Sequence, residues 1–354
     1  MQITRRSLGL FAAAAGTSLV ASRAFALAPS DMRSGDARFD PTPYVNPELR
    51  RYVAPMLEIT STGLNAETLA EQRKEPPFLA PLPTPSYTRQ TISGPGSAPD
   101  VSIYIVNAKA DGPPRPAILH IHGGGFVLGT AHGWIRCAQD AAAALDCVVV
   151  SVDYRLAPET RFPGSLEDNY AALKWLYANA ARLGVDRSRI AVMGESAGGG
   201  HAAMLAIAAR DRGEIPLVYQ ALVYPMLDDR TGSTRKAPPH QSMIGWTPAN
   251  NRFGWGALLG IPAGSPRVPY GSVPARIENL RGLPPAFVGV GSIDLFVDED
   301  IDYARRLANA GTPVTLNVVP GAFHGFDLMP SSLVKPFRNS LYGAIRGAFD
   351  APRA

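Results

Sequence analysis

The chain has 354 residues, enough for one large α/β domain with an inserted segment. Hydrophobic residues make up 46% of it and charged residues only 18%, which predicts a sizeable buried core and argues against a disordered chain. The formal net charge of +4 falls to +1 when the three arginines of the first 26 residues are set aside, because 31 basic residues then face 30 acidic ones. Nucleic-acid-binding proteins need clustered basic residues, so this class is not expected.

The first 26 residues have the order of an export signal. Arg5 and Arg6 come first, a weakly apolar run over Leu8–Val20 follows, and residues 24–26 (AFA) form a small-x-small cleavage site. Residues 26–28 (ALA) are an alternative cleavage site. The paired arginines resemble those of a twin-arginine leader. A transmembrane anchor needs about 20 apolar residues, so this run is too short for one. We therefore expect residues 1–26 to be a signal peptide of an exported, periplasmic protein without a stable membrane anchor.

Strand and helix patterns alternate over most of the remaining chain. The predicted strands are Val101–Val106, Ala117–His122, Val148–Tyr154, Ile190–Gly194, Leu217–Tyr224, Ala286–Gly291 and Val314–Val319. The predicted helices are Ile135–Leu145, Leu166–Leu183, Ala197–Ala209, Glu299–Ala310 and Leu333–Phe349. This alternation predicts an α/β fold, in which a mostly parallel central sheet carries helices on both faces.

Two segments interrupt the alternation. Residues 31–85 are rich in proline, with short helical patterns, and residues 226–280 place aromatic side chains such as Trp246 among Pro, Gly and Arg. We expect both segments to pack over the sheet as a helical cap, while residues 86–225 and 281–354 form the sheet domain. A surface subdomain at 226–280 without any role at a site is the alternative.

A serine lies between a predicted strand and a predicted helix. Residues 194–198 read GESAG, which matches the pattern G-x-S-x-G. A serine on such a tight turn holds its hydroxyl clear of the sheet, and small residues two positions away relieve the crowding that the turn creates. The N-terminus of the following helix favours negative charge nearby. Ser196 is therefore a candidate nucleophile.

Three glycines follow an earlier strand. Residues 122–126 read HGGGF, and successive glycines allow backbone N–H groups to face a ligand. The negative oxygen formed during acyl transfer needs such donors, each contributing about 10²–10³ in rate. A phosphate-binding loop does not fit, because Gly123, Gly125 and Gly129 miss G-x-G-x-x-G by one residue and no G-K-[ST] occurs. A simple flexible turn is the alternative.

An acid and a histidine follow the last two predicted strands. Asp294 comes shortly after the strand Ala286–Gly291, and His324 comes after the strand Val314–Val319. In a parallel sheet these loops share the edge that carries the serine turn. The chain order Ser196, Asp294, His324 is that of α/β-hydrolases, in which the histidine takes the serine proton and the carboxylate orients the histidine.

Other acids and histidines compete for these roles. Asp298 and Asp300 lie farther from the strand end and suit the first turn of the next helix, where acids favour the helix dipole. Three histidines are less well placed than the one at position 324: His132, His201 and His240.

The remaining metal-ligating residue types do not predict a metal site. His120 and His122 face the same way on a strand, but no third ligand has useful spacing. We expect His120 to pack in the core and His122 to brace the glycine loop. Cys137 and Cys147 are the only cysteines, and two cannot form a thiolate cluster. Buried free thiols are expected for them, and an oxidising compartment leaves a disulfide open.

Five motifs occur in a fixed order along the chain. They are residues 122–125 (HGGG), 154–159 (YRLAPE), 194–198 (GESAG), 294–299 (DLFVDE) and 321–326 (GAFHGF). Together they resemble the bacterial hormone-sensitive-lipase-like carboxylesterases, over roughly residues 117–326. The resemblance implies an α/β-hydrolase fold in which residues 86–225 and 281–354 are the catalytic domain.

The resemblance also implies a role for each matching residue. Ser196 would be the nucleophile, His324 the general base and then acid, and Asp294 the orienting carboxylate. The oxyanion hole would be formed by the N–H groups of Gly124, Gly125 and Ala197. One residue departs from the family pattern, since Glu195 occupies a position where the family usually has Asp.

These residues lead to one main hypothesis and two alternatives. The main hypothesis is a serine carboxylesterase that hydrolyses short- to medium-chain acyl esters through an acyl-enzyme, with no metal or organic cofactor. An acyltransferase could use the same triad, and a non-catalytic receptor for small ligands could have the same fold. The expected partner is a small-molecule ester, and the sequence leaves open whether the chain forms a homodimer.

Overall fold

A single mixed sheet runs through the centre of the molecule. The computed structural model describes residues 39–74 and 79–352. Within them the sheet has eight strands, in the spatial order β1-β2-β4-β3-β5-β6-β7-β8. The strands are β1 (Tyr87–Ile92), β2 (Val101–Val106), β3 (Arg115–Ile121), β4 (Val148–Asp153), β5 (Val185–Glu195), β6 (Tyr219–Val223), β7 (Ala286–Gly291) and β8 (Val314–Val319). β2 is antiparallel to both β1 and β4, and the other neighbours are parallel. The prediction of a mostly parallel sheet is confirmed.

Helices cover both faces of this sheet. They are α1 (Val53–Ser61), α2 (Leu69–Gln72), α3 (Ile135–Leu145), α4 (Gly164–Ala178), α5 (Ala180–Leu183), α6 (Ala197–Arg212), α7 (Pro248–Leu259), α8 (Val297–Asn309) and α9 (Val334–Asp350). Neighbouring residues of a strand point to opposite faces, and Ile118 and Leu119 of β3 accordingly join two separate apolar cores. The core around Leu119 packs against α4, α6 and α8. The core around Ile118 packs against α3 and α9.

Some element bounds differ from the predicted ones. The structure has a strand at β1 that the sequence patterns do not predict, and β5 begins five residues earlier than predicted. The single helix predicted over Leu166–Leu183 is divided between α4 and α5 at Asn179. β7, β8 and α3 have the predicted bounds.

The two segments predicted to form a cap contact one another. The ring of Tyr44 stacks on that of His240 at a centroid distance of 4.6 Å. Oγ1 of Thr60 lies 3.3 Å from the carbonyl oxygen of Met243, and the amide of Leu64 donates to Oδ1 of Asn250 at 3.0 Å. The division into a cap and a catalytic domain stays a prediction.

The predicted leader at residues 1–26 lies outside the described residues, as do residues 31–38 of the N-terminal segment. No helix in the described ranges is both long enough and apolar enough to cross a membrane.

Candidate active site

The serine of the GESAG motif lies on a strained turn between β5 and α6. Ser196 has φ of 57° and ψ of −123°, a backbone conformation that L-residues rarely adopt. A Cβ at Gly194 would lie 2.3 Å from the carbonyl oxygen of Gly198, and one at Gly198 would lie 2.0 Å from that of Ile121. The turn therefore requires glycine at both positions, for the steric reason that the sequence pattern indicated.

The structure brings Ser196, Asp294 and His324 into one hydrogen-bonded chain. Nε2 of His324 lies 2.8 Å from Oγ of Ser196, and Nδ1 lies 2.9 Å from Oδ2 of Asp294. The other carboxylate oxygen of Asp294 accepts from the amide of Phe296 at 3.0 Å. Since a carboxylate only accepts, Nδ1–H donates to Asp294 and Nε2 of the neutral ring accepts from the serine hydroxyl. This tautomer is the one that can take the serine proton.

Two aromatic rings hold the imidazole of His324. The rings of Tyr224 and Phe296 contact it edge-on, at centroid distances of 4.8 and 5.1 Å. The hydroxyl of Tyr224 donates to Oδ1 of the buried Asp327 at 2.7 Å. Burial raises the pKa of Tyr224, and the neighbouring Asp327 charge raises it further, so the phenol is neutral. Phe296 lies within the motif at residues 294–299, which gave it no role, and Tyr224 lies in none of the five motifs.

The rival acids do not reach the histidine. Asp298 is exposed in the first turn of α8, where its charge favours the helix dipole. Asp300 is fully buried in the same helix, and neither of its carboxylate oxygens has a hydrogen-bond partner among the described residues. In this part of the chain Asp294 is the acid hydrogen-bonded to His324.

The glycine loop after β3 has a backbone that side chains would not tolerate. Gly124 and Gly125 have φ of 127° and 60°. A Cβ at Gly124 would lie 2.1 Å from the carbonyl oxygen of Leu128, and one at Gly125 would lie 2.2 Å from the indole of Trp246. Among the hydrogen bonds of the described residues, none has the N–H of Gly124, Gly125 or Ala197 as its donor. These three groups are available to an incoming oxygen atom.

The segment at residues 226–280, the second of the two predicted cap segments, lies directly against the site. A Cβ at Gly245 would lie 2.6 Å from the carbonyl oxygen of His324, and one at Gly254 would lie 2.5 Å from that of Gly125. Nε1 of Trp246 donates to Oδ1 of Asn251 at 3.1 Å, which fixes the indole beside the glycine loop. Ser196 itself is only 5% exposed, so the nucleophile is buried beside these contacts.

The other histidines take structural positions. Nδ1 of His122 lies 2.8 Å from the carbonyl oxygen of Gly123, so His122 braces the glycine loop. Burial lowers the pKa of His122 to about 4 and that of His201 to about 3, so both rings are neutral at pH 7. His120 does more than pack in the core, because its ring hydrogen-bonds to Ser151 and Glu195.

The metal-ligating residue types and the two cysteines form no cluster among the residues that the structure describes. No group of three or more His, Cys, Asp and Glu side chains in the described ranges could hold a metal ion. Cys137 and Cys147 are free and buried, and burial raises the pKa of Cys147 to about 12.

An open groove lies to one side of the triad. Its volume is about 710 Å³, and it runs between α2, α7 and the loop at Pro158–Arg161. Apolar side chains line it together with Arg161, Arg252 and the ion pair of Arg73 with Glu159. None of the triad residues lines it. The groove is therefore separate from the site formed by Ser196, Asp294 and His324.

The fold is that of an α/β hydrolase, and comparison with known proteins agrees. Residues 118–328 match the model of a family described as having the alpha/beta hydrolase fold. The chain is 33% identical to the esterase LipI of Mycobacterium tuberculosis, over 83% of this chain and 92% of that protein. It is 36% identical to the carboxylesterase NlhH of the same organism, over 74% and 81%.

Solved structures give the same result. A structure titled Bacterial Heroin Esterase superimposes with a TM-score of 0.74 at 34% identity, covering 88% of this chain and 99% of that one. The esterase LipW of Mycobacterium marinum superimposes with a TM-score of 0.72 at 31% identity, covering 88% and 98%. The chain belongs to the hormone-sensitive-lipase-like carboxylesterase family that its motifs resemble. It is a carboxylic ester hydrolase.

Proposed function

We propose that the protein is a serine carboxylesterase that hydrolyses short- to medium-chain acyl esters through an acyl-enzyme. The observation that supports this proposal is the continuous hydrogen-bonded chain from Ser196 through His324 to Asp294, at 2.8 and 2.9 Å. Such a chain lets a hydroxyl lose its proton as it attacks a carbonyl carbon.

The reaction has two halves that use the same groups. In the first, Oγ of Ser196 attacks the ester carbonyl while its proton passes to Nε2 of His324. The resulting oxyanion accepts hydrogen bonds from the N–H groups of Gly124, Gly125 and Ala197. The intermediate then collapses, the C–O bond to the alcohol breaks, and the alcohol leaves with the proton from His324. In the second half water repeats these steps on the acyl-enzyme and releases the carboxylic acid.

Asp294 supports both halves without changing its charge. Its carboxylate holds the imidazole in the tautomer that accepts at Nε2, and it stabilises the imidazolium that each proton transfer creates. Burial of all three side chains excludes water and strengthens their mutual electrostatic attraction.

The proposed preference for short to medium acyl chains is supported by the burial of the serine. Gly245 and Trp246 lie close against His324 and Gly125, and Ser196 itself is only 5% exposed. A large acyl or alcohol group would have to displace these residues. The carboxylesterase names of the relatives support an ester substrate and leave its size open.

The experiment compares purified protein with Ser196→Ala on p-nitrophenyl esters from acetate to octanoate. We expect hydrolysis to be highest on the shorter esters, and Ser196→Ala to lower kcat by up to about 10⁶-fold. Absence of hydrolysis by the unchanged protein on every ester would favour the ligand-binding alternative. Transfer of the acyl group to added alcohol in preference to water would favour the acyltransferase.

We also propose that the protein is exported through its N-terminal residues 1–26. The order of the arginine pair, the apolar run and the AFA sequence supports this proposal. N-terminal sequencing of the protein recovered from the periplasm should begin after residue 26. Recovery of an uncleaved chain from the cytoplasm alone would contradict it.

A further inference from the structure

Two buried residues beside the site have no role in the reaction described above. Glu195 is 3% exposed and lies at the end of β5, immediately before Ser196. His120 is fully buried on β3, two residues before the glycine loop begins. Nε2 of His120 lies 2.9 Å from Oε2 of Glu195. Their side chains therefore connect the strand of the serine turn to the strand of the glycine loop.

Ser151 extends this connection to a third strand. It is the register partner of His120 in the pairing of β3 with β4, and its Oγ lies 2.8 Å from Nδ1 of His120. The carboxylate of Glu195 can only accept, so Nε2–H of His120 donates to it. In the neutral ring Nδ1 then accepts from the hydroxyl of Ser151. Every ring nitrogen of His120 is satisfied, and the ring has one orientation.

The main chains of the two strands meet at the same place. A Cβ at Gly123 would lie 2.9 Å from the carbonyl oxygen of Glu195. One at Gly198 would lie 2.0 Å from the carbonyl oxygen of Ile121 and 2.6 Å from that of His122. The serine turn and the glycine loop thus touch through backbone atoms at these points. The parallel ladder between β3 and β5 ends at the pair Ile121 and Gly194, directly before the turn and the loop begin. The hydrogen bond between His120 and Glu195 adds a side-chain restraint at this end of the ladder.

We propose that Glu195 and His120 form a positioning pair that fixes the serine turn relative to the glycine loop. The inference rests on the proposed function, because the oxyanion must meet donors from both elements. Gly124 and Gly125 belong to the loop after β3, whereas Ala197 belongs to the turn after β5. A small change in the spacing of the two elements separates these donors, and misplacement by 1 Å can cost about 10²-fold in rate. The pair acts on turnover and not on substrate binding.

The test distinguishes the effect of the length of the side chain at position 195 from the effect of its charge. Glu195→Asp keeps the charge but is one methylene too short to meet His120. Glu195→Gln keeps the length and an acceptor oxygen. We expect Glu195→Asp to lower kcat about 10–100-fold with little change in KM. Glu195→Gln should stay within about threefold of the unchanged protein, since an uncharged acceptor preserves most of the restraint.

Substitutions of His120 provide an independent second set. When asparagine replaces His120, its amide nitrogen lies where Nδ1 of the imidazole was. When glutamine replaces His120, its amide nitrogen lies where Nε2 was. His120→Asn keeps the contact to Ser151 and loses the one to Glu195, whereas His120→Gln does the reverse. We expect kcat to fall in His120→Asn and to be largely kept in His120→Gln. This set decides the question if Glu195→Asp does not fold.

The double variant His120→Asn with Glu195→Asp tests whether the two residues act together. It should be no worse than the poorer single variant, because both changes remove the same restraint.

Each kcat is expressed per active site titrated with an organophosphate, so that unfolded protein does not lower the value. Gln139→Leu is the matched control. Gln139 is fully buried on α3, where it hydrogen-bonds to the backbone of Leu82 and Pro85, away from the triad. Its replacement should lower Tm and leave kcat per site unchanged.

Three results would overturn the inference. They are an unchanged kcat in Glu195→Asp, equal losses in Glu195→Asp and Glu195→Gln, or a kcat loss of the same size in the Gln139→Leu control. Ser196→Ala distinguishes these results from failure of the proposed function. If Ser196→Ala remains active, the serine mechanism itself is wrong. If it is inactive while Glu195→Asp is unaffected, only the positioning pair is wrong.

Discussion

Asp294 and Asp298 are four residues apart, and their surroundings give them different chemistry. Asp294 is fully buried, with one oxygen bonded to His324 and the other to the amide of Phe296. Asp298 points away from the site into solvent at the start of α8. The difference arises from a single helical turn, which begins directly after the loop that carries Asp294.

Replacing each acid with asparagine should separate their roles. Asp294→Asn leaves a side chain of the same shape that no longer selects the productive tautomer of His324. We expect kcat to fall about 10⁴-fold, whereas Asp298→Asn should stay near the unchanged protein. Initial rates on p-nitrophenyl acetate measure both. The reverse outcome would assign the acid to Asp298.

The residues that support the histidine were beyond prediction from the sequence. Ser196, Asp294 and His324 lie in short motifs whose spacing is set by local backbone geometry, so a pattern can identify them. Tyr224 and Phe296 contact His324 only because β6, β7 and β8 are neighbours in the sheet. Phe296 lies in the motif at residues 294–299, but no sequence pattern assigns either ring to the histidine.

At the scale of elements, α7 connects the second cap segment to the glycine loop. Its residue Gly254 lies against the carbonyl oxygen of Gly125, where a Cβ would approach to 2.5 Å. Gly256 lies two residues farther along the same helix. A Cβ built there would have the carbonyl oxygen of Ile261 as its nearest neighbour, at 3.8 Å. The same helix thus contains one glycine that the packing requires and one that it does not.

Alanine at these two positions gives a matched test of that contact. Gly254→Ala should push α7 away from the glycine loop, lower stability by about 1–3 kcal/mol and lower kcat. Gly256→Ala should raise stability by about 0.5–1 kcal/mol, because alanine favours the helix. It should leave kcat unchanged. Urea unfolding and initial rates measure both effects. Equal behaviour of the two variants would show that the contact has no effect on the site.

The predicted elements are most accurate where a strand or helix is apolar on a buried face. β7 is buried at all six positions, and its bounds were predicted from its continuous apolar run. β1 is an edge strand with the sequence YTRQTI and a mostly exposed surface, so its residues show little hydrophobic pattern. α7 was expected only as part of a cap, because its sequence contains two asparagines and two glycines, which are weak helix formers.

At the scale of the whole molecule, buried carboxyl groups make stability depend on pH. Asp300 is fully buried without a hydrogen-bond partner in the described part of the chain. Burial raises its pKa well above the ordinary value of 3.8, and the charges of Glu299 and Asp294 raise it further. The folded state therefore keeps a proton that the unfolded state loses above pH 3.8. The contribution of Asp300 to the free energy of unfolding is therefore fully present below pH 3.8. It is lost as the pH rises from there through the pKa of the folded state.

Removing the buried carboxyl should remove this dependence. The slope for one such proton is up to about 1.4 kcal/mol per pH unit. We expect the stability of Asp300→Ala relative to the unchanged protein to increase as pH rises from 5 to 9. Urea unfolding at several pH values measures it, with Asp298→Ala as the exposed control. A difference that stays constant with pH would mean that Asp300 does not hold its proton.

The acyl-enzyme itself gives the most direct test of the central claim. Protein mixed with p-nitrophenyl butyrate is quenched in acid within the first turnover, digested and examined by mass spectrometry. One butyryl group should be found on the peptide that contains Ser196, and it should be absent from Ser196→Ala and strongly reduced in His324→Ala. A butyryl group on another residue, or ester hydrolysis that continues unchanged in Ser196→Ala, would contradict the account.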